Sequence, residues 1–450
     1  SIYAPHISPS NNRSRRQYIL SVMAENGFIS QEEKQAALDE SIWVLAQEAE
    51  KQLYSWYIDE ALRESAELLG LSADEVIQGG FKIYTAYDAR LQTIADEVYA
   101  DSSFFPAAAS DGTPIQSAMA VVDTNNGAVL AMIGGRDYTV RRGLNRATQM
   151  RRQPGSALKP LAVYGPALEL GYTTASVLLD EKTSFGGYTP RNAGDRYYGL
   201  VTMRTAIRNS LNTTAVRLLE EIGLDASIQY LNKMGIPTRN SDRNLSLALG
   251  SMTYGVTPVE LAAAYVPYAN GGIYHQPYCV ERIETVDGSN VYERKDSGKQ
   301  VLSAQNAFLM TSLLQSVVSS GTGTRMLAAN TPIAGKTGTV SMTGGNRDIW
   351  MTAYTPEISV AVWMGYDQTD AKHKISNGIT GGRNTASLAA AFFKKAYADR
   401  EKPDFSQPDG LVWLTLDKRA LTSRGSIMLA SDKTPKEYRL SEVFAASNRP

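Results

Sequence analysis

The sequence predicts an α+β fold, with one sheet gathered from distant segments and covered by helices. Two observations carry this. Apolar runs that read as strands stand far apart, at 117–134 and at 333–365. Between them lies a long helical and loop-rich middle, residues 145–320, punctuated by Gly186-Gly187, Gly194 and Gly271-Gly272.

The chain has 450 residues, 43% apolar and 20% charged, with net charge −1. That length allows two or three domains and a sizeable core. The charge balance argues against a nucleic-acid binder that relies on phosphate contacts. Cys279 is the single cysteine, so no internal disulfide forms. His6, His275 and His373 are scattered without metal-ligand spacing, and neither a metal nor a cofactor is expected. No apolar run reaches the roughly 18 residues of a membrane span, and no signal-peptide pattern appears. The chain starts at Ser1 rather than Met. It reads as a processed or shortened fragment, so the lack of an anchor says little about a full-length protein.

Residues 13–70 read as helical. Ser30 followed by Glu33 is a capping box, and Gly27 fits the end of the preceding helix. Residues 81–87 alternate like a strand, and a short helix is expected over 89–99. Residues 117–123 and 128–134 flank Asn126-Gly127, a tight-turn signal, and predict a hairpin that is central or covered on both faces. Three further strands are expected at 333–340, 349–354 and 358–365, with Thr355-Pro356-Glu357 turning between the last two. A helix over 385–397 follows. The tail beyond Lys402 carries one strand candidate, 411–416, and reads as a small cap or a partly mobile segment.

Three motifs carry the chemistry: S-A-L-K (Ser156 to Lys159), S-L-N (Ser210 to Asn212) and K-T-G-T (Lys336 to Thr339). Ser156 and Lys159 share a helix face, and Pro154-Gly155 marks a helix entry. Ser156 near a helix N-terminus has free N–H groups and a favourable dipole beside it. Pro160 has no N–H to return to Ser156, so the first turn is expected to be irregular. A lysine acts as a base only when burial or a neighbouring cation lowers its pKa, and Lys336 is the candidate neighbour. Ser210 can relay a proton, and Asn212 offers a donor and an acceptor to an amide. Thr337 and Thr339 lie on one side of a strand and can hold a carboxylate beside Lys336. Gly338 lets a substrate backbone lie close. Alone, each motif has a plainer explanation: a capping serine with a solvated lysine, another helix start, a polar edge strand. In order, they supply a nucleophile, a base, a relay and a carboxylate anchor.

The chain resembles the transpeptidase domain of a class A, bifunctional penicillin-binding protein. The resemblance runs through V-V-D-T-N-N-G-A-V-L-A-M-I-G-G-R-D-Y (121–138), R-R-Q-P-G-S-A-L-K-P (151–160), Y-T-P-R-N (188–192), L-A-L-G-S-M-T-Y-G-V-T-P-V-E-L-A-A-A-Y (247–265), A-G-K-T-G-T (334–339), R-D-I-W (347–350), A-V-W-M-G-Y-D (361–367) and T-G-G-R-N-T-A (380–386). It implies the fold shared by penicillin-binding proteins and serine β-lactamases, an antiparallel sheet covered by helices with a large helical subdomain. It implies peptidoglycan stem peptides ending in D-Ala-D-Ala as substrate, and β-lactams as ligands that acylate Ser156. Lys159 would be the base, Ser210 linked to Lys336 the proton donor, and the N–H groups of Ser156 and Thr339 the oxyanion hole. The place would be the outer face of the bacterial cytoplasmic membrane, with an anchor only in the full-length protein.

Residues 1–45 resemble the last helices of that family's glycosyltransferase domain, whose acidic catalytic region is absent, so no glycan polymerisation is expected from this chain. Residues 46–116 would be the interdomain linker, 117–400 the transpeptidase domain and 401–450 a C-terminal extension. The middle motif is S-L-N rather than the S-D-N of class A β-lactamases, and no E-x-x-L-N follows Asn212. Glu260 reads as a helix residue, and a β-lactamase is disfavoured. Three other readings remain. A D,D-carboxypeptidase is not separated by the motifs. A penicillin sensor lacks a visible signalling segment, and an inactive scaffold would not keep five polar catalytic residues.

Overall fold

The computed structural model describes residues 3, 5, 8–41 and 55–450. The chain divides into two compact units, Ser1–Leu53 and Tyr54–Pro450. The expected boundary between 45 and 46, and part of the helical reading over 13–70, lie outside the described residues. In the first unit, helices Pro9–Glu25 and Gln31–Asp39 are separated by Gly27 at φ +73°. The capping box at Ser30 is formed: Glu33 N–H donates to Ser30 Oγ at 3.1 Å, and Ser30 N–H to Glu33 Oε2 at 2.7 Å. Among the described residues no helix is long and apolar enough to cross a membrane.

The second unit is built on a five-stranded antiparallel sheet. Its order is Ala334–Met342, Gly345–Tyr354, Ile358–Gly365, Gln116–Asp123 and Val129–Ile133. The sheet is assembled from the two ends of a helical middle, as the strand positions require. Every residue of Ile358–Gly365 is buried, which explains why it reads as a continuous apolar run rather than an alternating one. Gln116–Asp123 is interior. Its partner Val129–Ile133 is at the sheet's edge, but largely buried. Helices Pro258–Ala269 with Ala304–Ser320, and Ala89–Ala100 with Asn384–Ala396, pack as two pairs against the sheet.

Two features of the periphery bear on the expected linker and tail. Lys82–Thr85 pairs antiparallel with Val280–Glu284, a strand from the middle of the chain, so the expected linker shares a sheet with the region beyond it. Glu64 reinforces this join by accepting the N–H groups of Cys279 (2.7 Å) and Val280 (3.2 Å). The tail takes the first of its two expected forms, a small packed cap. Leu411–Asp417 pairs with Arg439–Ala445, and Val443 and Phe444 are fully buried. Arg204 holds Glu442 through Nε (2.6 Å) and Nη2 (2.8 Å).

Candidate active site

Ser156 opens an irregular helix. Gly155–Leu158 is a 3-10 turn, Pro160–Tyr164 winds more widely as a π turn, and Gly165–Glu169 is α-helical. Pro160, which cannot donate a backbone hydrogen bond, sits at the change of pitch. Two tyrosines of Pro258–Ala269 supply what the turn lacks: Tyr265 Oη donates to Ala157 O at 2.5 Å, and Tyr268 Oη to Pro160 O at 2.9 Å. Trp350 Nε1 donates to Gln153 O at 2.9 Å and ties the lead-in to the sheet. Ser156 is half-buried, and its Oγ makes no hydrogen bond among the described residues. Lys159, one turn on, returns its backbone N–H to Ser156 O.

Gly155 adopts φ +56° and presses on the Lys336-Thr339 strand. A Cβ there would lie 2.8 Å from Thr339 O and 3.1 Å from Thr339 N. Close backbone approach therefore sets the Ser156 turn beside Thr339. Gly338 serves the same join from the other side. Its missing side chain leaves room for Pro154 O, which a Cβ would meet at 2.2 Å, and for Ala157. That space was expected to admit a substrate backbone. The structure fills it with the Ser156 turn.

Ser210 and Asn212 lie where helix Met203–Arg208 ends and helix Asn212–Ile222 begins. Ser210 has φ +55°, a left-handed conformation that costs a non-glycine residue about 1 kcal/mol or more. The plainer capping explanation fails: the N-cap position is Leu211, which offers no side-chain cap. The cap comes from elsewhere in the chain. Asn192 Oδ1 accepts the N–H groups of Asn212 (2.7 Å) and Thr213 (3.3 Å).

The two lysines meet at this loop, and both are fully buried. Lys336 Nζ donates to Ser210 Oγ at 2.9 Å and to Thr337 O at 3.1 Å. Lys159 Nζ donates to Ser210 O (2.7 Å), Leu211 O (2.9 Å) and Asn212 Oδ1 (2.7 Å), with Ser210 Oγ at 3.4 Å. Three carbonyl-type acceptors match the three protons of an ammonium. Opposing this, burial pushes Lys159 well below an ordinary lysine, and the like charge of Lys336 pushes it further. The Asp180 carboxylate pushes it back up. Burial alone pushes Lys336 down to about 7. Three acceptors thus surround an amine whose charged form burial and Lys336 both disfavour.

Thr337 and Thr339 line the edge strand. Thr337 Oγ1 lies 2.8 Å from Thr322 Oγ1, and Thr339 Oγ1 accepts Gly381 N–H at 3.3 Å. Lys159, Ser210, Asn212 and Lys336 are thus joined by direct hydrogen bonds. Ser156, Thr337, Gly338 and Thr339 are held to them by the turn and the strand.

Asn192 and Asp180 were missed in the sequence. Asn192 Nδ2 donates to Asp180 Oδ1 at 2.7 Å, Thr213 Oγ1 donates to the same oxygen, and Tyr198 N–H donates to Asp180 Oδ2 at 2.9 Å. The only signal was the Y-T-P-R-N run, which gave Asn192 no role. Among the described residues no group of His, Cys, Asp and Glu is arranged to hold a metal ion.

Residues 117–398 match the penicillin binding protein transpeptidase domain. The chain is 40% identical over 385 residues to penicillin-binding protein 1F of Bacillus subtilis, covering 84% of this chain and 52% of that one. It is 31% identical to penicillin-binding protein 1A/1B of the same organism, covering 100% and 50%. The chain spans about half the length of the curated relatives it matches. The crystal structure of penicillin-binding protein 1A from Haemophilus influenzae shares the fold at 22% identity, with TM-score 0.77, over 100% of this chain and 84% of that one. The PonA1 protein from Mycobacterium tuberculosis in complex with penicillin V shares it at 24% identity and TM-score 0.66, covering 78% and 95%. With the family's transpeptidase domain matched over more than half its length, the chain belongs to the penicillin-binding protein transpeptidase family.

Proposed function

We propose that the chain is a serine D,D-transpeptidase that cross-links peptidoglycan stem peptides and is acylated by β-lactams. The observation that carries this is the Lys159–Ser210–Lys336 chain of contacts beside the Ser156 turn. Deprotonated Lys159 keeps two protons for three acceptors, so one acceptor is released and the amine lone pair is free to take a proton. Ser156 Oγ then attacks the carbonyl between two D-alanines and gives its proton to Lys159. The oxyanion is held by the N–H groups of Ser156 and Thr339, which the contact between Gly155 and Thr339 brings together. The terminal carboxylate lies along Thr337 and Thr339. Ser210 protonates the departing D-alanine nitrogen and recovers a proton from the lysines. The amine of a second stem peptide attacks the acyl-enzyme, its proton returns through the same groups, and Ser156 regains its hydroxyl.

In this reading residues 117–400 form the catalytic domain and 401–450 a cap on it. Residues 46–116 are the linker and 1–45 the end of a glycosyltransferase domain. The place of action is extracytoplasmic, at the outer face of the cytoplasmic membrane. The test is product analysis with a D-Ala-D-Ala donor, with and without an amine acceptor. Released D-alanine with a cross-linked product supports transpeptidation. Released D-alanine with only the shortened donor makes the chain a carboxypeptidase, and no release with either removes both activities.

A further inference from the structure

Ser156 and Lys159 stand on a helix whose pitch changes before Gly165, and side chains from two other helices hold its carbonyls. Tyr265 Oη donates to Ala157 O at 2.5 Å, Tyr268 Oη to Pro160 O at 2.9 Å, and Ser227 Oγ to Ala162 O at 2.6 Å. Where a tight turn runs into a wide one, carbonyls no longer face the N–H four residues on. Pro160 O also takes the N–H of Gly165, five residues on, so both its lone pairs are used.

The two phenols are built into the core. Tyr265 and Tyr268 are three apart on Pro258–Ala269 and share a face of that helix. Both are buried. Tyr265 meets the rings of Tyr268 and Tyr354 edge-on, with centroids 5.8 and 6.2 Å away, and Tyr354 meets Phe405 of the tail at 5.6 Å. Thr311 Oγ1 lies 2.8 Å from Tyr268 O and 2.9 Å from Tyr354 Oη, which ties the same cluster to helix Ala304–Ser320. Burial pushes both phenols well above an ordinary tyrosine, so they remain protonated donors. Their acceptors are specific in place: Ala157 directly follows Ser156, and Pro160 directly follows Lys159.

We propose that Tyr265 and Tyr268 are positioning residues for acylation. Each acts through one carbonyl, Tyr265 beside the nucleophile and Tyr268 beside its base. Without these bonds the turn relaxes toward an even pitch, and Ser156 and Lys159 shift relative to Ser210. Ser227 makes the same kind of bond three residues past Lys159 and provides an internal comparison. The inference rests on Ser156 as the acylated serine and adds two residues that no contact with substrate would reveal.

The test is penicillin acylation of the whole chain in Y265F, Y268F and S227A, followed across penicillin concentration at a temperature where each is folded. Each change removes one buried hydroxyl and leaves one carbonyl short of a donor, so the unfolding midpoints should fall by similar amounts. The limiting acylation rates should not. Y265F and Y268F are expected to lose about tenfold, part of the roughly 10² that a 1 Å misplacement costs, and S227A about twofold or less. The half-saturating penicillin concentration should stay unchanged in all three, because no contact with the ligand is removed. Equal rate losses in the three variants, following only their loss of stability, overturn the proposal. A raised half-saturating concentration at an unchanged limiting rate overturns it too. If Y265F does not fold, Y268F against S227A decides. A folded wild type that is never acylated removes the Ser156 reading itself, and the proposal with it.

Discussion

Lys336 Nζ lies 2.9 Å from Ser210 Oγ, and this contact joins segments 126 residues apart. With Lys159 Nζ 3.4 Å from the same hydroxyl, Ser210 stands between two buried amines. The arrangement makes the protonation of Lys159 depend on the charge of Lys336.

Removing either lysine therefore has a distinct signature. K159A is expected to slow acylation by about 10² or more at every pH, the scale of general-base loss. In K336A a like charge disappears, Lys159 holds its proton to higher pH, and the rising limb of the acylation profile moves to higher pH. Because Lys336 itself is pushed down to about 7, the two profiles should differ most below that pH. Acylation rates against pH for the three proteins check this. An unmoved limb in K336A would leave Lys336 as a carboxylate anchor only.

Asp180 predicts the opposite sign. Its carboxylate favours the ammonium form of Lys159. D180N removes that support, so Lys159 loses its proton sooner and the limb moves to lower pH. The same rate measurement decides it, with thermal unfolding as a check that the loop around Asn192 survives the change.

Asn192 caps a helix from outside that helix. N192A leaves the N–H groups of Asn212 and Thr213 without their acceptor. A lost cap costs about 1 kcal/mol, with a range of roughly 0.5–2. A lower unfolding midpoint together with slower acylation is expected. Slower acylation without any loss of stability would mean that the cap is not what Asn192 provides.

Gly338 tests the close approach of strand and turn. In G338A the new Cβ would meet Pro154 O at 2.2 Å, and the Ser156 turn must shift. A displacement near 1 Å in a catalytic group costs about 10² in rate. Acylation should fall by that order while circular dichroism stays that of a folded protein. Near-normal acylation would show that the strand yields instead of the turn.

What the sequence revealed is local in nature. Alternating or continuous apolar runs gave the five strands, and Asn126-Gly127 gave the hairpin, because both signals sit within a few residues. The capping box at Ser30 was legible for the same reason. Asn192 was not, since its oxygen acts 20 residues away on amides that carry no side-chain signal. Gly338 was assigned to substrate because nothing local says that Pro154 occupies the space. The pairing of Lys82–Thr85 with Val280–Glu284 was hidden by the distance between two short strands. The ordered motifs showed which side chains to bring together. They did not show that three acceptors would surround the Lys159 amine.

The most direct measurement is the site of penicillin attachment. The folded chain is incubated with a labelled penicillin, digested, and its peptides are mapped by mass spectrometry. The label is expected on Ser156 and absent in S156A. A label on another serine, or none on a chain shown to be folded, would contradict the assignment of Ser156 as the nucleophile.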